Sequence, residues 1–297
     1  MVDRKAPQAP RSEPQASEVH SGWLPQDGSP RPIRVDAEVV ENRAEGGENL
    51  RLSLRVPAWP GFLPGQFVML SPGARTSVER TDPLLPRPMA VFRSRPEAGS
   101  ALVEILYRRV GRGTRLLAET LPGQLLRVVG PLGRPFPAPA PGEQALLVAG
   151  GTGIASIYEL AARIQGPGRV EVLLGARTAA DLMGEGDFAA LGVALRVATE
   201  DGSRGARGLV TELLEAALAE RPGARVYTCG PKPMMERVAR LAAAAGRACV
   251  VSLENHMACG FGVCLGCAAP LAAGGYALVC RDGPAFEADT IAWEALP

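Results

Sequence analysis

The chain has 297 residues, and its 32 basic and 31 acidic side chains leave a formal net charge of +1. This balance provides no single-sign field to attract a polyanion, which argues against a nucleic-acid partner. The longest nearly apolar stretch, residues 145–157, is interrupted by glycines and falls short of the ~20 residues needed to cross a bilayer, so the sequence predicts no membrane span.

Residues 1–32 contain six prolines among Ser, Gln and charged residues, a composition that predicts a disordered tail. The tail has no apolar run typical of a secretory signal. Its mixture of acidic and basic side chains also argues against a transit peptide. We therefore expect a cytoplasmic protein.

Residues 33–140 consist of short runs with alternating apolar residues, bounded by Pro-Gly turns, which predicts a compact antiparallel β-barrel or sandwich. Within it, Arg87 to Ala90 and the Gly111 to Thr114 turn are candidates for an anion site. A guanidinium, glycine amides and a hydroxyl are suitable donors to phosphate. Surface arginines and turn glycines are common, so an ordinary turn remains an alternative.

Residues 141–252 change to a strand–helix–strand rhythm, which predicts a doubly wound parallel sheet. The clearest helical stretches are 208–220 and 232–245. The buried apolar runs that we assign to strands are 145–149, 170–175, 193–198, 225–229 and 248–253.

A glycine turn follows the first of these strands and leads into a helix, so its backbone N–H groups can meet a pyrophosphate. Its residues are Gly150, Gly151, Thr152 and Gly153. The spacing is not G-x-G-x-x-G, so a plain tight turn remains an alternative.

Two further strand ends of this sheet carry candidate residues. Glu200 and Asp201 follow the third strand, where carboxylates accept hydrogen bonds from ribose hydroxyls and repel a 2′-phosphate, so NAD is favoured over NADP. A solvated turn is the alternative. At the end of the fourth strand, after Cys229, Gly230 lets the chain approach a planar ring closely.

The last stretch, 253–297, holds four of the six cysteines. Cys259, Cys264, Cys267 and Cys280 are spaced C-x4-C-x2-C-x12-C, the order of plant-type [2Fe–2S] sites. A structural zinc, which usually takes two C-x2-C pairs, and free thiols are the alternatives. Because this segment is too small for a core of its own, we expect its metal site to hold it together.

Together these motifs resemble the electron-transfer subunits of NAD-linked dihydroorotate dehydrogenases. The resemblance covers about 33–290 and rests on RPMA, G-x-G-T, GPLG, GGTGI, TEDGS, CGP and SLENHMACGFGVCLGC…CRDGP. It implies a multidomain β and α/β protein. The implied domains are an FAD-binding barrel over 33–140, an NAD-binding domain over 141–252 and a small [2Fe–2S] domain over 253–297.

The resemblance also implies roles for single residues. Those against the flavin and its phosphates would be Arg87, Pro88, Met89, Ala90, Leu106, Tyr107, Arg108, Gly113 and Thr114, and the cluster ligands would be Cys259, Cys264, Cys267 and Cys280. No catalytic acid–base residue is implied. The chain departs from the family pattern at Ala90, often Ser, at Ser156, often Pro, and at Pro86, often Arg.

The implied function is electron transfer from the FMN of a dihydroorotate dehydrogenase catalytic subunit, through [2Fe–2S] and FAD, to NAD⁺ in pyrimidine (UMP) biosynthesis. The implied assembly is a heterotetramer of two chains of each kind. The flavin subunits of NADH-dependent ferredoxin:NADP reductases and the oxygenase-linked reductases are alternatives. The former often carry Asp at one cluster position, whereas Cys259 stands here. A zinc-stapled binding module is an alternative of another class.

Overall fold

The computed structural model describes residues 30–76, 83–164, 166 and 168–296. The predicted disordered tail therefore falls almost wholly outside the described residues. No helix in these ranges is long and apolar enough to span a membrane.

An antiparallel seven-stranded sheet forms the first large unit, with strand order β4-β3-β7-β1-β2-β6-β5. Alternating apolar residues of its strands, such as Leu52, Leu54 and Val56, are fully buried in the barrel core. The elements are β1 (Ile33–Gly46), β2 (Asn49–Pro57), β3 (Phe67–Leu70), β4 (Arg87–Ala90), β5 (Arg93–Glu97), β6 (Ser100–Arg108), α1 (Arg112–Ala118) and β7 (Leu125–Leu132).

The second unit is a mostly parallel sheet with order β11-β10-β9-β8-β12-β13-β16 and helices on both faces. Its order reverses beside β8, so a crevice opens at the carboxyl ends of β8 and β12. The elements are β8 (Ala145–Gly150), α2 (Ile154–Arg163), β9 (Val170–Ala176), α3 (Glu185–Ala190), β10 (Ala194–Thr199), β11 (Ala206–Arg207), α4 (Val210–Glu220), β12 (Arg225–Cys229), α5 (Lys232–Ala244) and β13 (Cys249–Ser252).

The C-terminal segment is built into the second unit. Strands β14 (Ala268–Pro270) and β15 (Tyr276–Leu278) form a hairpin, and β16 (Ala285–Glu287) pairs antiparallel with β13. Side chains such as Ala269 and Val279 share one core with Val148 of β8. Packing on the neighbouring unit therefore supplies the core that the segment is too small to build alone.

Ion pairs join the two large units. Asp187 of α3 contacts Arg51 of β2 and accepts from Nη1 of Arg93 at 2.7 Å. Glu104 of β6 accepts from Arg51 Nη1 at 2.9 Å and from Arg93 Nε at 2.8 Å. The side chain of Arg51 is only 3% exposed, so these charges depend on one another rather than on water for their stabilisation.

The fold class predicted from the sequence is confirmed, with an antiparallel barrel followed by a doubly wound parallel sheet. Strand 225–229 is reproduced residue for residue, and the two clearest helices differ from their predicted bounds by at most two residues.

Candidate functional site

The four cysteines of the C-terminal segment come in two pairs. The sulfurs of Cys267 and Cys280 are 3.2 Å apart, and Cys264 lies against Cys259. In the described ranges, no three His, Cys, Asp or Glu side chains converge on one point. The two irons of a [2Fe–2S] rhombus take two thiolates each. The paired arrangement fits a two-iron cluster.

Backbone N–H groups point at the sulfurs, as in a loop built to hold thiolates. Gly262 N donates to Cys280 Sγ at 3.0 Å, and Phe261 N donates to Cys259 Sγ at 3.5 Å. Burial raises the pKa of the Cys259 thiol, but hydrogen bonds from the loop, first that of Cys264, outweigh it and lower the pKa to about 6. Burial and the neighbouring Cys267 raise the pKa of Cys280 to about 12. Bound iron is cationic and would favour the thiolate form of both cysteines.

The cysteine loop packs against the barrel. A Cβ added at Gly260, which has φ +86°, would lie 2.5 Å from Cγ of Met69 on β3. Met69 is the cross-strand partner of Pro88 on β4. The loop that begins at Cys259 is thus one strand away from the Arg87–Ala90 strand that sequence reasoning assigns to the flavin.

Arg87 and Gly113 are brought together, although 26 positions separate them in the sequence. A Cβ at Gly113 would lie 2.5 Å from Nε of Arg87, so glycine leaves room for the guanidinium where it rests on the first turn of α1. The Thr114 hydroxyl accepts from the N–H groups of Val110 and Gly111 at 2.9 and 3.1 Å. It therefore shapes the turn, which limits its part in binding an anion.

The other residues assigned to the flavin lie on β6. Tyr107 is buried in the barrel and its hydroxyl donates to Asn42 Oδ1 at 3.0 Å. Burial raises its pKa to about 12. Leu106 is buried toward the second unit, and Arg108 binds Asp181 Oδ1 at 2.9 Å. The side chains of Tyr107 and Arg108 thus already have protein partners.

The glycine turn after β8 touches the end of β12. A Cβ at Gly153 would lie 2.3 Å from the carbonyl oxygen of Cys229 and 2.6 Å from Gly230 N. Cys229 Sγ lies 3.4 Å from the Ser156 hydroxyl, and burial raises the pKa of this thiol to about 12. Cys229 is therefore a neutral thiol, unsuited to act as a nucleophile.

Glu200 and Asp201 are both exposed, and Asp201 binds within its own turn. Asp201 Oδ1 accepts from Ser203 N at 3.0 Å and from its hydroxyl at 2.6 Å, and the latter bond is the main reason why its pKa is lowered. Asp201 therefore stabilises its own turn. Arg204, which could attract a 2′-phosphate, donates from Nε to Glu185 at 2.9 Å.

Sequence reasoning assigned no role to Glu254, which follows β13 at the same edge of the sheet. The Thr152 hydroxyl lies against its carboxylate. A carboxylate within two residues of the end of a parallel strand is the signal that points to it.

Comparisons with known proteins place this geometry in a family. A family model described as "Iron-sulfur cluster binding domain of dihydroorotate dehydrogenase B" matches residues 254–292, and one described as "Oxidoreductase NAD-binding domain" matches residues 147–240. A "Dihydroorotate dehydrogenase B (NAD(+)), electron transfer subunit" of Bacillus caldolyticus is 42% identical over 234 residues, 77% of this chain and 86% of the relative. The chain belongs to this family of electron transfer subunits.

Other members agree. The electron transfer subunit of Listeria monocytogenes is 37% identical over 87% of this chain and 99% of its own length. The family and the NAD-linked oxidoreductase class predicted from the sequence are confirmed. The two matched models and the flavin-based neighbours described below likewise support the predicted FAD, [2Fe–2S] and NAD.

Solved structures with this fold include both classes named as alternatives. "Insights into flavin-based electron bifurcation via the NADH-dependent reduced ferredoxin-NADP oxidoreductase structure" aligns with TM-score 0.77 and 28% identity over 88% of this chain and 91% of that one. "Ferredoxin reductase in carbazole 1,9a-dioxygenase" aligns with TM-score 0.60 and 27% identity over 73% and 67%. The fold is thus shared, and the sequence relatives identify the electron transfer subunits.

Proposed function

We propose that this chain carries electrons from the FMN of a dihydroorotate dehydrogenase catalytic subunit, by way of a [2Fe–2S] cluster and FAD, to NAD⁺ in pyrimidine biosynthesis. The observation that carries the proposal is the contact of Gly260, beside Cys259, with Met69, the strand neighbour of Pro88. It supports a short path between the cysteine loop and the flavin strand.

The three groups would supply different chemistry: a [2Fe–2S] cluster would carry one electron at a time, and a flavin that had taken up two electrons and a proton could give a hydride to NAD⁺. We assign the cluster to Cys259, Cys264, Cys267 and Cys280. We assign the flavin to β4, with the Arg87 guanidinium over Gly113 as the anion contact and the main chain of β6 along the ring. The pyrophosphate of NAD belongs at Gly150 to Gly153, and Gly230 allows the ring to approach the end of β12.

The partner surface is proposed to be the tip of the cysteine loop. Val263 is 58% exposed and Leu265 64% exposed, both between cluster cysteines, and apolar side chains at such a position favour a protein partner. We propose two chains of each kind in the assembly. A reducing cytoplasm is the location in which four thiolates remain available to iron.

The isolated chain, loaded with FAD and cluster, is expected to oxidise NADH with an artificial dye and to leave dihydroorotate untouched. The proposal gives this chain two nucleotide sites and assigns none of its residues as an acid–base group for the substrate. Adding the catalytic subunit should confer dihydroorotate:NAD⁺ activity. The spectrum should show visible absorption, whereas a zinc protein is colourless. Oxidation of dihydroorotate by this chain alone would refute the proposal.

The choice of nicotinamide cofactor is expected to depend on Glu200. Changing Glu200→Arg should raise the ratio of kcat/KM for NADPH to kcat/KM for NADH. The rise should correspond to a free-energy difference of about 1–3 kcal/mol, because a charge that repels the 2′-phosphate is exchanged for one that attracts it. Asp201 is left in place because it holds its turn. The control is Glu215→Arg on the exposed face of α4. A ratio that is unchanged in Glu200→Arg, or a wild-type preference for NADPH, would remove Glu200 from the site.

A further inference from the structure

Glu254 stands where the nicotinamide end of a dinucleotide is expected. Strands β8, β12 and β13 are parallel neighbours, so their carboxyl ends share one edge. The register pairs Cys229 with Ser252, and Glu254 lies two residues beyond Ser252. With a pyrophosphate at the β8 turn and the adenosine toward Glu200 beyond β9, the nicotinamide riboside extends toward β12 and β13.

The carboxylate of Glu254 lies in a concave part of the surface. Glu254 is exposed to solvent, and enough protein lies near its carboxylate for burial to raise its pKa. Glu254 lines a cavity of about 40 Å³ together with Lys232 of α5. On the other side it faces the Thr152 hydroxyl, and its charge contributes to the raised pKa of Cys229.

Few charges face this carboxylate from the elements around it. The Lys232 ammonium donates to the carbonyl oxygen of Leu296, and β12 presents the neutral thiol of Cys229. The cysteine segment presents apolar Ala269 and Val279 to the same cavity. Along the chain, His256 is exposed two residues away. No basic side chain is among the groups that shift the pKa of Glu254.

We propose that Glu254 distinguishes the two redox forms of the dinucleotide by the charge of the nicotinamide ring. The ring of NAD⁺ is cationic and that of NADH is neutral, whereas the phosphates and riboses of the two are the same. A carboxylate in a concave site beside the ring therefore attracts NAD⁺ selectively. This role rests on the proposed NAD site. It makes Glu254 a residue that favours binding of NAD⁺, the acceptor, and release of NADH, the product.

The same position predicts a proton linkage. Burial raises the pKa of Glu254, and the Thr152 hydroxyl partly opposes this. NAD⁺ binds best to the ionised form, so NAD⁺ binding releases a proton while Glu254 is partly protonated. The affinity for NAD⁺ should rise with pH through this titration and level off above it. The affinity for NADH should show no such rise.

Calorimetric titration of the FAD- and cluster-loaded protein with NAD⁺ and with NADH, across pH, tests the proposal. Glu254→Gln should weaken NAD⁺ binding by about ten-fold and abolish its pH dependence and proton release, while NADH binding stays within about two-fold. Glu236→Gln, on an outer turn of α5, is the matched control and should change neither. Thr152→Ala should move the pH dependence of NAD⁺ binding to higher pH, because the ionised form loses a hydrogen-bond donor.

If Glu254→Gln weakened the binding of NAD⁺ and of NADH equally, the proposal would be overturned. Glu254 would then only help to form the shape of the site. Unchanged NAD⁺ binding, or a pH dependence that survives the substitution, would overturn it as well. If the wild-type protein bound neither dinucleotide, the proposed function itself would fail, and that outcome is distinct from a loss of discrimination.

Discussion

Replacing Cys264 with serine is expected to abolish the visible absorption of the cluster and to lower dihydroorotate:NAD⁺ activity of the complex at least ~100-fold. Cys264 belongs to the Cys259 pair at the solvent side of the loop, so its loss leaves one iron with a single thiolate. NADH oxidation with a dye should largely persist, because that route needs the nucleotide sites and not the cluster. Absorption spectra and the two steady-state assays on one preparation measure all three quantities.

The matched control is Cys249→Ser. Cys249 is buried on β13, and burial raises its pKa to about 12, so it is a small core residue outside the cluster loop. Cluster absorption and both activities should survive this change. Simultaneous loss of cluster and dye activity in a folded, FAD-replete Cys264→Ser protein would show that the proposed order of centres is wrong.

Replacing Arg51 with alanine is expected to lower the free energy of unfolding by about 3–5 kcal/mol, because its removal leaves the buried carboxylate of Glu104 and the partly buried carboxylate of Asp187 undercompensated. Denaturant unfolding of the cofactor-loaded protein measures the change. Arg55→Ala on the same strand is the control. Its pairs with Glu38 and Glu97 are solvent-exposed, so it should cost at most ~1 kcal/mol. Equal costs for the two variants would show that the network adds nothing beyond a surface pair.

The network also gives stability a defined pH dependence. Burial raises the pKa of Asp187, but the hydrogen bond and charge of Arg51 and the charge of Arg93 outweigh it, so the pKa lies below its usual value. The contribution of Asp187 is thus fully present above the unfolded-state pKa of ~3.9 and is lost as pH falls through the lower folded-state value. Asp187→Asn should remove this acid-side loss.

Local rules were sufficient for the elements and the cluster motif. Continuous apolar runs such as 145–149 predict parallel strands without tertiary information, and the spacing of the cysteines indicates the kind of metal site. The turn from Asp201 to Ser203 can also be predicted from local sequence, since an Asp side chain commonly accepts a hydrogen bond from the backbone N–H two residues further on. The observed bond from Ser203 N to Asp201 shows such a turn, which was the alternative to a ribose contact for this carboxylate.

Contacts between distant segments could not be derived in this way. Arg51 and Asp187 are 136 residues apart, and nothing near either one specifies the other. The approach of Gly260 to Met69 likewise depends on how the C-terminal segment docks on the barrel. A glycine such as Gly260 indicates that the backbone approaches another segment closely, but only the folded structure identifies that segment. The role we propose for Glu254 belongs to the same class.

Strand β16 pairs with β13 and so covers one edge of the parallel sheet. Until residues 285–287 have been synthesised, the main-chain groups of Val250 and Val251 on the outer side of β13 lack their strand partners. Open edges of this kind recruit strands from other chains and lead to aggregation. The segment that holds the cysteines therefore also protects the newly made protein from aggregation at this edge. A truncation that removes the segment would leave the edge of β13 exposed.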